Sequence, residues 1–85
     1  MKIEILYFAY LREQLGFDSE EAQLPTDVQT VGALRDWLIG KGEPYASAFA
    51  NLKRIRAALN EELASDDATI KEGDVVAFFP PVTGG

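Results

Sequence analysis

The sequence contains no cysteine and no histidine, and only one methionine and one tryptophan among its 85 residues. Without thiols there is no disulfide and no thiolate metal site, and without imidazole the commonest general base is missing too. Catalysis through Cys or His is excluded, and no metal site is expected. The lack of cysteine also fits a reducing cytosol. Cations are scarce: eight Lys and Arg stand against fourteen Asp and Glu, a net charge of −6. A nucleic-acid binder needs a basic stripe to neutralise phosphates. The nearest approach, "KRIR" at 53–56, would split in an alternating strand, with Lys53 on one side and Arg54 and Arg56 on the other. No nucleic-acid partner is expected. No apolar run approaches the roughly 18 residues of a membrane span. After Met1, "KIEILYFAY" alternates like a strand and lacks the layout of a signal peptide. The expectation is a cytoplasmic protein with no membrane partner, whose acidic balance suits solubility and a partner with a positive cleft.

What is present describes one small domain. Eighty-five residues leave room for one core, and 47% hydrophobic with 26% charged residues is ordinary for a globular chain. From Lys2 to Ala9 the residues alternate: Ile3, Ile5 and Tyr7 share one face, while Lys2 and Glu4 mark the other as solvent-exposed and carry Leu6 and Phe8 with them. Leu11 and Leu15 are four apart, and Gly16 can end a short helix after them. "EEAQLP" (20–25) reads as a short strand ended by Pro25. Thr30 is a good N-cap for the main helix, where Val31, Leu34, Trp37 and Leu38 recur at helical spacing and Gly40 and Gly42 offer stops. Pro44 opens a helical turn, "RIRAAL" (54–59) alternates again, and Asn60-Glu61 turn the chain into Glu62 and Leu63. After the turn "KEGD" (71–74), Val75 to Phe79 forms an apolar strand that stops where proline lacks its N–H. The order predicts an α+β fold, one main helix on a mixed sheet, with the first and last strands central and parallel.

No constellation for internal catalysis emerges. The carboxylates of "SEE" (19–21), "NEE" (60–62) and "SDD" (65–67) fall at turns or edges and read as solvated charges. Asp66 and Asp67 have no third ligand at a recognisable spacing. Gly32, Gly40 and Gly42 form no phosphate-binding fingerprint and read as helix packing and termination. Trp37 and Phe49 read as core.

The ending "FFPPVTGG" (78–85) is the exception. Two terminal glycines occur by chance in roughly one chain in 200, too often to decide anything alone. Pro80 and Pro81 hold the backbone extended and cannot continue a ladder, so residues 80–85 are expected to leave a 1–79 domain as a flexible tail. Six residues reach roughly 20 Å. Gly84 and Gly85 have no side chains, so such a tail can thread a narrow channel and present an open carboxylate. A carboxylate is a poor electrophile and needs activation, for which this chain has no catalyst. The chain reads as a carrier activated by a partner.

"IKEGDVVAFFPPVTGG" (70–85) resembles the carboxyl end of the molybdopterin synthase small subunits, a family of ubiquitin-like β-grasp sulfur carriers. "LYFAYLRE" with Gly16, "TVGALRDWL" and "AALNEEL" resemble the family's first strand and helix, main helix and hairpin. The resemblance implies a β-grasp fold and a non-catalytic subunit of a sulfurtransferase complex. An E1-like adenylyltransferase and sulfurtransferase, using ATP and magnesium, would activate the Gly85 carboxylate and convert it to a thiocarboxylate; the chain itself would bind no cofactor. The tail, through Pro80, Pro81, Val82, Thr83 and Gly84, would enter the large synthase subunit in an assembly of two small and two large chains. There it would donate sulfur to cyclic pyranopterin monophosphate to build the molybdopterin dithiolene. The resemblance assigns partner contacts to Phe8, Leu63 and Phe79, with Arg12 near the same surface, and puts Val75, Ala77 and Phe79 outward; Val75 replaces a more polar family residue. Gly-Gly alone is shared with thiazole-pathway and tRNA-thiolation carriers and with protein modifiers. A modifier joined to lysines through Gly85, or a passive docking module, are the alternatives.

Overall fold

A computed structural model of the chain describes residues 1–51 and 54–81. Eight elements follow in order: β1 (Lys2–Tyr7), α1 (Tyr10–Leu15), β2 (Ser19–Gln23), α2 (Val31–Ile39), α3 (Tyr45–Ala48), β3 (Arg56–Leu59), β4 (Glu62–Ala64) and β5 (Val75–Phe79). The order read from the sequence is the order observed. The strands form one five-stranded sheet, β2-β1-β5-β3-β4, in which β1 and β5 are parallel and every other pair is antiparallel. The two most apolar strands therefore adjoin, with β5 in the middle. This mixed sheet closed over one main helix is the ubiquitin-like β-grasp architecture.

Alternation decides which face is buried. Ile3, Ile5 and Tyr7 of β1 and Val76 and Phe78 of β5 point inward and join Val31, Leu34 and Leu38 of α2 in one core. Phe49 completes an aromatic cluster with Tyr7 and Phe78, its ring standing edge-on to Phe78 at 5.1 Å between centroids. Thr30 caps α2 as expected, its hydroxyl accepting from the Ala33 N–H at 3.2 Å. Gly16 ends α1 in the left-handed region, and its N–H returns to the Arg12 carbonyl at 2.9 Å.

Several boundaries and environments differ from the sequence reading. β1 stops at Tyr7, because Ala9 takes a positive φ of 55° that breaks the extended run. β2 ends before Leu24, whose side chain turns into the core. β3 begins at Arg56, since the Arg54 N–H is already taken by the Asn51 carbonyl rather than by a strand partner. Trp37 is only half-buried, with Lys41 Nζ 4.4 Å from its ring centroid.

Two carboxylates are not simply solvated. Glu20 lies on the inner side of edge strand β2, where one oxygen accepts from Tyr7 Oη at 2.8 Å and Tyr45 Oη at 2.7 Å. Asp66 receives both terminal nitrogens of Arg35. It stands so close to α2 that a Cβ on Gly32 would lie 3.1 Å from the Asp66 carbonyl oxygen. Gly32 thus has a packing reason that outweighs its poor helix propensity.

Candidate functional site

Among the described residues no helix packs on the outer face of the sheet, and the strand registers fix its side chains row by row. Leu6 lies opposite Ala77, Ala77 opposite Ala58, and Ala58 opposite Leu63. These four place an apolar row across β1, β5, β3 and β4. Toward the end where β5 finishes, Phe79 lies opposite Arg56, and the Phe8 N–H bonds the Phe78 carbonyl at 3.1 Å. Phe8 and Phe79 accordingly extend the apolar surface to the point where Pro80 and Pro81 leave the ladder.

Phe8 is 46% exposed and Leu63 77%, and they are the large hydrophobics that stand exposed among the described residues. Phe79, Pro80 and Pro81 are half-buried. Keeping such side chains in water forgoes burial worth about 1.5–3 kcal/mol for each fully covered residue. Contiguous apolar surface of this kind marks interaction sites. The phase of β5 agrees with the sequence reading: Val76 and Phe78 are buried, while Val75, Ala77 and Phe79 face out.

Arg12, on α1, lines a hollow of about 260 Å³ together with Leu6, Phe8, Asp18 and Ser19. The structure therefore brings Arg12 and Phe8 together, sets Phe79 in the neighbouring strand, and places Leu63 at the far end of the apolar row. Val82, Thr83, Gly84 and Gly85 lie outside the described residues. The sequence reading missed Ala58, because Ala57 and Ala58 are both apolar and alternation cannot phase them. It also missed Arg56 as the neighbour of Phe79, which only the β3–β5 register reveals.

Supports behind the face fix its shape. Asn60 and Glu61 form a two-residue hairpin turn with positive φ at both positions, the geometry that matches strand twist and sets the β3–β4 register. The Asn60 side chain accepts from the Val75 N–H at 2.9 Å and donates to Asp74 at 3.0 Å. That bond and the Lys71 N–H hold the Asp74 carboxyl below its ordinary range. On the inner side, burial first and the Glu20 hydrogen bond second raise the Tyr7 phenol, and the same causes push Tyr45 up to about 12. Among the described residues no group of three or more His, Cys, Asp or Glu is placed to hold a metal. None of their helices is long and apolar enough to cross a membrane.

A mixed β-grasp sheet with an apolar outer face that runs up to Pro80 places the chain in the ubiquitin-like fold class. Comparison with known proteins narrows this class. Residues 5–85 match the ThiS family, and the chain belongs to it. It is 43% identical over 83 residues to the molybdopterin synthase sulfur carrier subunit of Escherichia coli, covering 98% of this chain and 99% of that one. Among solved structures it is similar to the small archaeal modifier protein 1 of H. volcanii, with a TM-score of 0.75 and 28% identity over 95% of this chain and 98% of that one. The protein–protein complex of subunits 1 and 2 of molybdopterin-converting factor from Helicobacter pylori contains a chain of the same fold, with a TM-score of 0.66, 24% identity and complete coverage of both.

Proposed function

We propose that the chain is the sulfur carrier and small subunit of a molybdopterin synthase. The observation that carries this reading is the position of the Phe8 and Phe79 patch, at the end of the sheet where β5 gives way to Pro80 and Pro81. A partner seated on that patch receives the tail directly. The full-length likeness to the E. coli carrier subunit supports the choice of pathway, and the H. pylori complex is a precedent for pairing this fold with a second subunit.

In this mechanism an E1-like enzyme joins the Gly85 carboxylate to AMP from ATP, releasing pyrophosphate. Sulfur transfer then displaces AMP and leaves a thiocarboxylate. The large subunit takes the tail, and the sulfur passes to the pterin precursor; hydrolysis returns the carboxylate. Two such transfers build the dithiolene, which suits an assembly of two small and two large subunits. Magnesium and ATP belong to the activating partner. This chain contributes a docking face, a reach of roughly 20 Å through residues 80–85, and a terminus without side chains; residues 1–79 serve as the folded body.

The likeness to small archaeal modifier protein 1 favours one second reading, conjugation of Gly85 to lysines. Intact mass of the protein from its native host separates the two. Replacement of one oxygen by sulfur is expected; ladders of conjugates without any sulfur-bearing species overturn the carrier reading.

A further inference from the structure

β5 stops at Phe79, and the proline that follows accounts for only half of that stop. In the parallel β1–β5 ladder Tyr7 lies opposite Phe78, and the Phe78 carbonyl accepts from the Phe8 N–H at 3.1 Å. The next bond of such a ladder would run from the N–H of residue 80 to the Phe8 carbonyl. Pro80 has no N–H to give. The acceptor is not left waiting, however, because the Phe8 carbonyl takes the Leu11 N–H at 3.2 Å. The donor after that on β1 would be the Tyr10 N–H, and Tyr10 already opens α1. β1 therefore closes its own side of the ladder.

This closure runs through Ala9. The Phe8–Leu11 bond makes a four-residue turn with Ala9 at its first central position, at φ 55° and ψ −131°. Those angles lie near the roughly +60° and −120° of a type II′ turn, at a position that glycine dominates. An alanine there is strained. It is also exposed, so burial of its methyl does not offset the cost. The compensation lies on either side. Leu11 is fully buried, and its N–H is one of the helix-start donors that have no partner within the helix. The Phe8 carbonyl is the acceptor that proline leaves without a donor. The turn pairs these two groups with each other.

We propose that Ala9 is a positioning residue for the tail. Its turn occupies the Phe8 carbonyl and takes residue 10 out of the strand, so the chain beyond Phe79 has no ladder to join. Ala9 acts through the Phe8 backbone and touches no substrate. The inference rests on the carrier reading and deepens it, because a carrier delivers its terminal carboxylate by reach. Each residue held in the sheet shortens the free tail by about 3.3–3.6 Å of its roughly 20 Å. Two independent barriers protect that length, the proline on β5 and the turn on β1.

Restoring the missing donor separates them. Pro80→Ala supplies an N–H at position 80, and Pro81 keeps that position extended, as a strand requires. Hydrogen exchange followed by NMR on the full chain reads whether this amide is taken up. With Ala9 in place it should exchange as fast as in an unstructured peptide. Ala9→Val in the same background should reverse that, because a β-branched residue is driven out of positive φ. β1 then continues, and the position 80 amide should slow by roughly tenfold or more. Protection in Pro80→Ala alone would make proline the whole barrier and overturn the proposal; an open amide in the double variant would overturn it as well. Ala9→Gly keeps the turn without the strain, so it should raise the melting temperature and leave the position 80 amide open in the Pro80→Ala background. A lower melting temperature, or a protected amide, counts against the proposal. Should Ala9→Val with Pro80→Ala fail to fold, Pro80→Ala alone and the glycine variants still decide the matter.

Sulfur loading links the turn to function. With ATP, the activating enzyme and a sulfur source, Ala9→Val with Pro80→Ala should form thiocarboxylate roughly tenfold more slowly than Pro80→Ala alone, since its carboxylate is held short. Ala9→Gly with Pro80→Ala should load at the rate of Pro80→Ala. Equal rates in all three would overturn the positioning role. If the parent itself forms no thiocarboxylate, the carrier reading falls, while the exchange measurement still reports on the turn.

Discussion

Arg35 grips Asp66 through two parallel hydrogen bonds of 2.8 and 3.0 Å, spanning 31 residues between helix α2 and the loop after β4. The Gly32 N–H bonds the Asp66 carbonyl at 2.8 Å beside this pair, so side chain and backbone lock the same contact. The guanidinium holds the Asp66 carboxyl below its ordinary value. A carboxylate with a lowered folded pKa stabilises above its unfolded pKa, near 3.9, and that contribution is lost as pH falls through the folded value.

Thermal melts between pH 6 and pH 2 should therefore show an acid limb that becomes shallower in Asp66→Asn. Asp74, also lowered, contributes to the remainder. At pH 6 the loss in Asp66→Asn should be modest, because Asp66 is largely exposed and the pair is screened. An acid limb identical to the parent's would show that the pair is electrostatically silent.

The alkaline limb has the opposite sign. Tyr7 and Tyr45 have raised folded pKa values. The unfolded phenols lose their protons near pH 10 while the folded ones keep theirs. Stability contributed by both is complete below pH 10 and declines above it, by up to about 1.4 kcal/mol per pH unit for each phenol. Tyr45→Phe should reduce that slope. If urea midpoints between pH 9 and pH 11 fall equally in parent and variant, Tyr45 is not linked to folding.

Much of this architecture was legible because it rests on local periodicity. The alternation of Ile3, Ile5 and Tyr7, the Thr30 cap, the Gly16 stop and the proline pair after Phe79 are signals within a few residues of the structure they specify. The sharing of Glu20 by Tyr7 and Tyr45 is different: the partners lie 13 and 25 residues away and meet only once the β1–β2 register is set. Arg35 with Asp66 and Arg56 beside Phe79 were hidden for the same reason. The apolar anchors of the outer face came from alternation and family resemblance, whereas the row that joins Leu6, Ala77, Ala58 and Leu63 needed three strand registers together.

Truncating an anchor tests that face. Phe79→Ala should weaken binding to the large subunit by at least 2 kcal/mol, roughly thirtyfold, the scale of an aromatic interface anchor. The melting temperature should change little, since the side chain faces away from the core that holds Phe78. Leu63→Ser should behave in the same direction. Titration calorimetry and a thermal melt decide the matter: unfolding of Phe79→Ala well below the parental temperature would make the residue part of the core.

The carrier mechanism is most exposed at Gly85, where function should depend on chemistry and reach and hardly on stability. Deleting Gly85 withdraws the carboxylate by up to about 3.5 Å, short of the partner's catalytic groups. Misplacement by even an ångström can cost about a hundredfold in rate. Adding one alanine after Gly85 moves the carboxylate the other way and puts a methyl group into a channel suited to glycine. Both variants should melt like the parent, because neither change touches the core around Leu34, Val76 and Phe78. Both should still bind the large subunit through Phe8 and Phe79. Neither should form the adenylate or the thiocarboxylate when incubated with ATP, the activating enzyme and a sulfur source, and neither should convert the pterin precursor. Intact mass follows the first two steps and precursor consumption the third. Turnover by either variant at a near-parental rate would reduce residues 80–85 to a docking strand and end the carrier reading.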